Sequence, residues 1–114
     1  MAETSPLSLT PAQVRALERL LRAGFRFVSF ERYAGYIGVE KEGFVALLDP
    51  AGGRLRLFTQ VGFRAEDGIA MLVERGAGKA FVWHGESVEA TPELLAAYER
   101  VRRELEELLE QENA

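Results

Sequence analysis

Apolar and polar positions repeat along this chain with two different periods, and the changes between them mark three parts. In "LTPAQVRALERLLRAGF", Val14, Leu17, Leu20 and Leu21 fall on one helical stripe. Thr10 is a natural N-cap, Pro11 fits the first helical position, and Gln13 completes a capping box. Gly24 can take the left-handed cap, with Phe25 folding back on Leu20. The pattern predicts a helix over about 11–23, preceded by a tail over 1–9.

From Phe25 to Ala90 the helical period gives way to short runs rich in β-branched and aromatic residues: "FRFVSFERY", "YIGVE", "FVALL", "RLRLF", "IAMLVE", "KAFVWH" and "SVEA". Between them stand "AG", "KEG", "DPAGG", "GFRAEDG", "GAG" and "GE", each with glycine or proline turn chemistry. Connections this short favour antiparallel neighbours, since a parallel crossover needs a dozen or more residues. The helical period returns after Thr91 and Pro92, predicting a helix over about 92–110 with fraying over 110–114, where glutamate crowds the end of the wrong dipole sign. Leu94, Tyr98, Val101, Leu105 and Leu108 form a two-heptad seam, flanked by i,i+4 pairs of Glu99 with Arg103, Arg102 with Glu106 and Arg103 with Glu107.

The predicted fold class is therefore α+β: one globular domain with a strongly bent antiparallel β-meander of six or seven strands, flanked by the two helices. A half-closed barrel plugged by the last helix is the architectural alternative. It is similar in outline to pleckstrin-homology-like modules, on strand count and helix position alone.

The stretch "VERGAGKAFVWHG" contains "GAGK", but a Walker-type phosphate loop needs an earlier glycine, a following Ser or Thr, and a helix. Val73, Ala80 and a strand stand there instead. A hairpin with a two-residue Gly76-Ala77 loop, or a four-residue one, sets Glu74 opposite Lys79, a favourable cross-strand pair. In that register Ala70, Leu72, Phe81 and Trp83 share one face, and Ile69, Met71, Val73, Ala80, Val82 and His84 the other. Both faces are largely apolar, and "FVALL" shows no alternation either, so both faces of the sheet must be covered. Two helices cover one. The other must curl into a barrel-like interior, line a ligand cavity or meet a second copy. The leading expectation is a homodimer, with Leu94, Tyr98, Val101, Leu105 and Leu108 as its interface.

Composition narrows the chemistry. A formal charge of −4 does not suit whole-surface attraction to nucleic acid or anionic membrane. There is no cysteine, so disulfide and thiolate chemistry are excluded. The first residues lack the basic leader and apolar run of a signal peptide, and no window approaches a membrane span, so the expected location is the cytoplasm. Charge is carried mostly by Arg and Glu, a balance compatible with heat adaptation.

Candidate catalytic groups are few. His84 is the only histidine, and it reads as a residue at a core margin. Asp49 and Asp67 both sit in turn sequences, so no zinc or other metal site and no cofactor is expected. Glu40 with Glu42, or Glu86 with Glu89, are the carboxylate pairs that acid–base chemistry would use. A more promising binding surface is "GGRLRLFTQVGFR", where Arg54, Arg56 and Phe58 share a strand face and Phe63 and Arg64 tip the irregular stretch from Gln60 to Gly68. The aromatics between Phe25 and Tyr36 read as core and sheet packing. The functional expectation is a non-catalytic, self-associating interaction module, with an unknown protein as a further partner. The alternatives are a binder of an anionic small molecule or single-stranded nucleic acid through those arginines and phenylalanines, and an enzyme using His84 or a glutamate pair.

Overall fold

Thr10 opens the first helix, α1 (Pro11–Arg22), through the expected reciprocal cap: its hydroxyl accepts from the Gln13 N–H at 3.1 Å, and Gln13 Oε1 accepts from the Thr10 N–H at 2.9 Å. The structure, a computed structural model, describes residues 9–65 and 68–113. Most of the expected tail and the Asp67 turn lie outside the described residues. The helix ends where Gly24 takes a φ of +100° and the Phe25 N–H returns to the Leu20 carbonyl.

Among the described residues eight strands follow: β1 (Arg26–Val28), β2 (Ile37–Lys41), β3 (Phe44–Asp49), β4 (Arg56–Leu57), β5 (Gly62–Arg64), β6 (Ile69–Arg75), β7 (Gly78–Trp83) and β8 (Glu86–Glu89). They form one curled antiparallel sheet in the order β1-β2-β3-β5-β6-β7-β8, with β4 also pairing with β3. The C-terminal helix, α2 (Pro92–Asn113), is capped by the Thr91 hydroxyl, which accepts from the Leu94 N–H.

The α+β class and the antiparallel meander are as the pattern predicts, and so is the register of the β6–β7 hairpin. Arg75 pairs with Gly78 across a two-residue Gly76-Ala77 turn, which places Glu74 opposite Lys79. Elsewhere the local structure departs from the sequence reading. The run from Phe25 to Tyr33 holds only a three-residue strand before a 3-10 turn over Glu31–Tyr33. Gly62–Arg64 is a strand inside the stretch expected to be irregular, because its backbone pairs with Phe44 and Val45 on one side and with Ile69 and Ala70 on the other. The last helix runs to Asn113, past the expected fraying point, since Leu109 is only 7% exposed and anchors the final turns in the core.

β3 lies inside the sheet, between β2 and β5, and is buried on both faces from Phe44 to Leu48. Phe44, Ala46 and Leu48 enter the main core with Leu17 and Leu20 of α1 and Tyr98, Val101, Leu105 and Leu109 of α2. The buried α2 residues are spaced 3, 4 and 4, the stripe of a straight helix rather than a supercoiling seam. Val45 and Leu47 enter a second cluster with Phe30 and Ile69, joined by Val28, Tyr33, Tyr36 and Met71. The second face is thus covered by the chain's own β1–β2 connection.

Polar side chains tie the layers together. Gln13, 2% exposed, donates from Nε2 to the Pro50 carbonyl at 2.6 Å, so the helix cap also holds the β3–β4 connection. Lys41 Nζ donates to the Ala23 carbonyl at 2.6 Å and to Glu104 at 2.7 Å, joining the end of α1, the sheet and α2. Glu40, 5% exposed, accepts on Oε1 from Arg26 Nε at 2.9 Å and Arg64 Nη1 at 2.8 Å, which links β1, β2 and β5.

Candidate functional site

The aromatic content of the main core converges beside β5 and β7. Phe44, Phe63, Phe81 and Tyr98 contact one another with ring centroids 5.5 to 5.8 Å apart. Tyr98 of α2 covers Phe44 and Phe81, but the rings continue beyond the helix along the sheet to Trp83. There β5, β6, β7 and β8 enclose an open pocket of about 260 Å³. Ala70 and Phe81 form its floor, Phe63, Trp83 and Val88 its apolar walls, and Arg64, His84 and Glu86 are among its polar lining. The walls keep some solvent access, Val88 at 44%.

Trp83 is held from several sides. A Cβ on Gly68 would overlap Cη2 and Cζ2 of its indole, so only glycine admits the ring there. The Arg32 guanidinium lies 5.9 Å from the ring centroid, and the His84 imidazole meets it edge-on at 4.1 Å. His84 and Gly85 form the two-residue turn between β7 and β8, with φ of +47° and +82°. Positive φ at both central positions is the type I′ geometry that suits a twisted hairpin. His84 is therefore exposed in the turn itself, not at a buried core margin, because the strand ends one residue earlier than expected.

The structure separates the sequence-predicted binding residues. Arg54, Arg56 and Phe58 keep their common outward face, with Leu55 buried between them. Arg56 lies opposite Asp49 in register, and Phe58 stacks on Tyr36 with ring centroids 4.0 Å apart. Phe63 and Arg64 belong instead to the pocket, and Arg64 is bound to Glu40. Of the expected interface seam, Tyr98, Val101 and Leu105 are buried in the chain's own core and Leu94 and Leu108 pack against it. A second molecule would have to open that core to reach the buried three.

The carboxylate pairs do not converge. Glu40 faces its two arginines, and Glu42 sits in the β2–β3 turn bonded to Arg100. Glu86 and Glu89 lie opposite Trp83 and Ala80, on opposite faces of β8. Among the described residues no group of three His, Asp or Glu side chains is placed to hold a metal ion, and no helix is long and apolar enough to cross a membrane.

A second concavity of about 400 Å³ lies between α2 and the β4–β5 connection, lined by Leu57 to Val61, Tyr98, Arg102 and Glu106. The Thr59 hydroxyl is buried there without a hydrogen-bond partner. The Arg102 guanidinium is already taken: it bonds Glu99 and Glu106. That bond holds the Glu99 carboxyl below its usual range and raises Arg102. Burial pushes the Tyr98 phenol up, opposed by Arg102 and reinforced by Glu99 and Glu106.

Sequence reasoning reached Phe63 and Arg64 but missed Trp83 and Val88 as pocket walls. The signal that could have found them was the face assignment of the β6–β7 hairpin, continued across the turn to β8. Compared with known proteins, the chain matches no family model, no curated protein and no solved structure.

Proposed function

We infer that this chain is a non-catalytic interaction module that seats one apolar side chain of a partner in the pocket between β5 and β8. One observation carries the reading: an aromatic-floored pocket remains open where α2 stops covering the sheet, and Arg64, the cation in its lining, is already paired with Glu40. Its volume of about 260 Å³ falls below the roughly 300–1,000 Å³ of drug-sized ligand sites and suits a single leucine- or phenylalanine-sized group. Ser87 and His84 both border the pocket, but the Ser87 hydroxyl accepts from Arg75 Nη1 at 3.3 Å and, among the described residues, no hydrogen bond joins it to the imidazole; the phosphate-binding reading of "GAGK" gives way to the turn at Gly76-Ala77.

The test is a heteronuclear NMR titration of the full chain with N-acetyl-leucinamide and N-acetyl-phenylalaninamide. Saturable shifts confined to the Trp83 indole, Phe63 and Val88, lost in Val88→Arg, support the reading. Shifts scattered over the surface, or none at millimolar probe, overturn it.

Self-association is the second reading. What favours it is the α1 surface, where Val14 and Leu21, seven residues apart on one stripe, are 41% and 47% exposed. Light scattering over a concentration series, with Leu21→Lys as the comparison, decides it: a constant monomer mass removes this reading.

A further inference from the structure

β8 is one of the sheet's two edges: among the described residues it pairs only with β7, and all four of its residues are exposed. Its register fixes which of its groups face outward. The closing pair of the His84-Gly85 turn is Trp83 with Glu86, and the Ala90 N–H bonds to the Lys79 carbonyl, so the backbones of Glu86, Val88 and Ala90 point toward β7. The N–H and C=O of Ser87 and the N–H of Glu89 therefore point away from the sheet.

The same register places Glu86 and Val88 on the pocket side, opposite Trp83 and Phe81, and Ser87 and Glu89 on the other. Neither glutamate takes part in an ion pair among the described residues. Antiparallel self-pairing of this edge would gather Glu86 and Glu89 of both copies into one joint, an accumulation of like charge that opposes a second copy there. The edge remains open to a strand of opposite charge.

Resting on the pocket reading above, we propose that β8 takes up an extended basic peptide as an added antiparallel strand, with the order basic–apolar–any–basic. The first basic residue lies opposite Glu89. The apolar residue lies opposite Val88 and enters the pocket over Phe81. The last basic residue lies opposite Glu86. Main-chain bonds to Ser87 and Glu89 supply the pairing, and alternate side chains supply the specificity.

Fluorescence anisotropy with the full chain tests this, using a short labelled peptide with Lys-Leu-Thr-Lys at its centre and a second with Glu-Leu-Thr-Glu. The expected result is preference for the basic peptide by at least about tenfold, weakening as salt rises. The double variant Glu86→Lys/Glu89→Lys, altered only at exposed positions, inverts that preference. Equal binding of both peptides by both proteins overturns the proposal, as does concentration-dependent growth of the particle in place of peptide binding. If the charge swap has no effect while the amino-acid amides still shift Trp83, the strand proposal falls and the pocket reading stands. If the swap inverts the preference but Val88→Arg changes nothing, the edge is the site and the pocket reading falls.

Discussion

The indole of Trp83 fills the space that any side chain on Gly68 would need. Gly68 lies just before β6 and Trp83 ends β7, so their contact sets one wall of the pocket. Gly68→Ala should displace the ring and cost about 1–3 kcal/mol, the usual range for overpacking. A changed tryptophan emission maximum together with a lowered urea midpoint would show it. Unchanged emission would mean that the ring is not seated as described.

Glu40 is the single carboxylate shared by Arg26 and Arg64, whose side chains are 70% and 38% exposed. Glu40→Gln should destabilise by about 1–2 kcal/mol, less than a fully buried pair, because both guanidiniums keep access to water. Arg26→Ala should cost less, since Arg64 still satisfies the same oxygen. Chemical denaturation of the two variants side by side checks the order.

Gln13 closes the N-terminal cap of α1 and bonds the Pro50 carbonyl with the same side chain. Gln13→Ala should therefore lose about 1–2 kcal/mol, since a partly buried carbonyl and a helix-end N–H both lose their partner. Gln13→Glu should keep the acceptor toward Thr10 but meet the Pro50 carbonyl with a carboxylate. It is expected to be no more stable than the alanine variant, as read by thermal unfolding.

Tyr98 gives a pH dependence with a definite sign. Burial raises its folded pKa above the ordinary value near 10, so the folded state favours the neutral phenol. That contribution is fully present below the unfolded pKa and is lost as pH rises from about 10 through the folded value. Thermal midpoints measured from neutral pH to above pH 10 should fall on the alkaline side, and Tyr98→Phe should flatten the fall.

Elements specified by near neighbours were legible in the sequence. Thr10, Pro11 and Gln13 lie within one helical turn, and the Glu74–Lys79 register follows from a two-residue loop. Elements specified by distant chain were not. Gly62–Arg64 is too short and glycine-opened to show a strand period, and it is a strand because β3 and β6 flank it. The α2 stripe reads as a heptad repeat over two heptads, and only the packing of Leu109 reveals the straighter period. The pocket was half legible: Phe63 and Arg64 were singled out, whereas Trp83 and Val88 enter through pairing across two hairpins. The arginine and phenylalanine set divides because Glu40, twenty-four residues away, draws Arg64 to β2, while Arg56 lies opposite Asp49 and Phe58 stacks on Tyr36.

The cover that Phe30, Tyr33 and Tyr36 lay across Val45 and Leu47 comes from the same molecule as the sheet it protects. Acquiring its native state should then be a first-order event for each chain, with no encounter between molecules in it. The denaturation midpoint should accordingly be indifferent to dilution, even where association at some other surface is not.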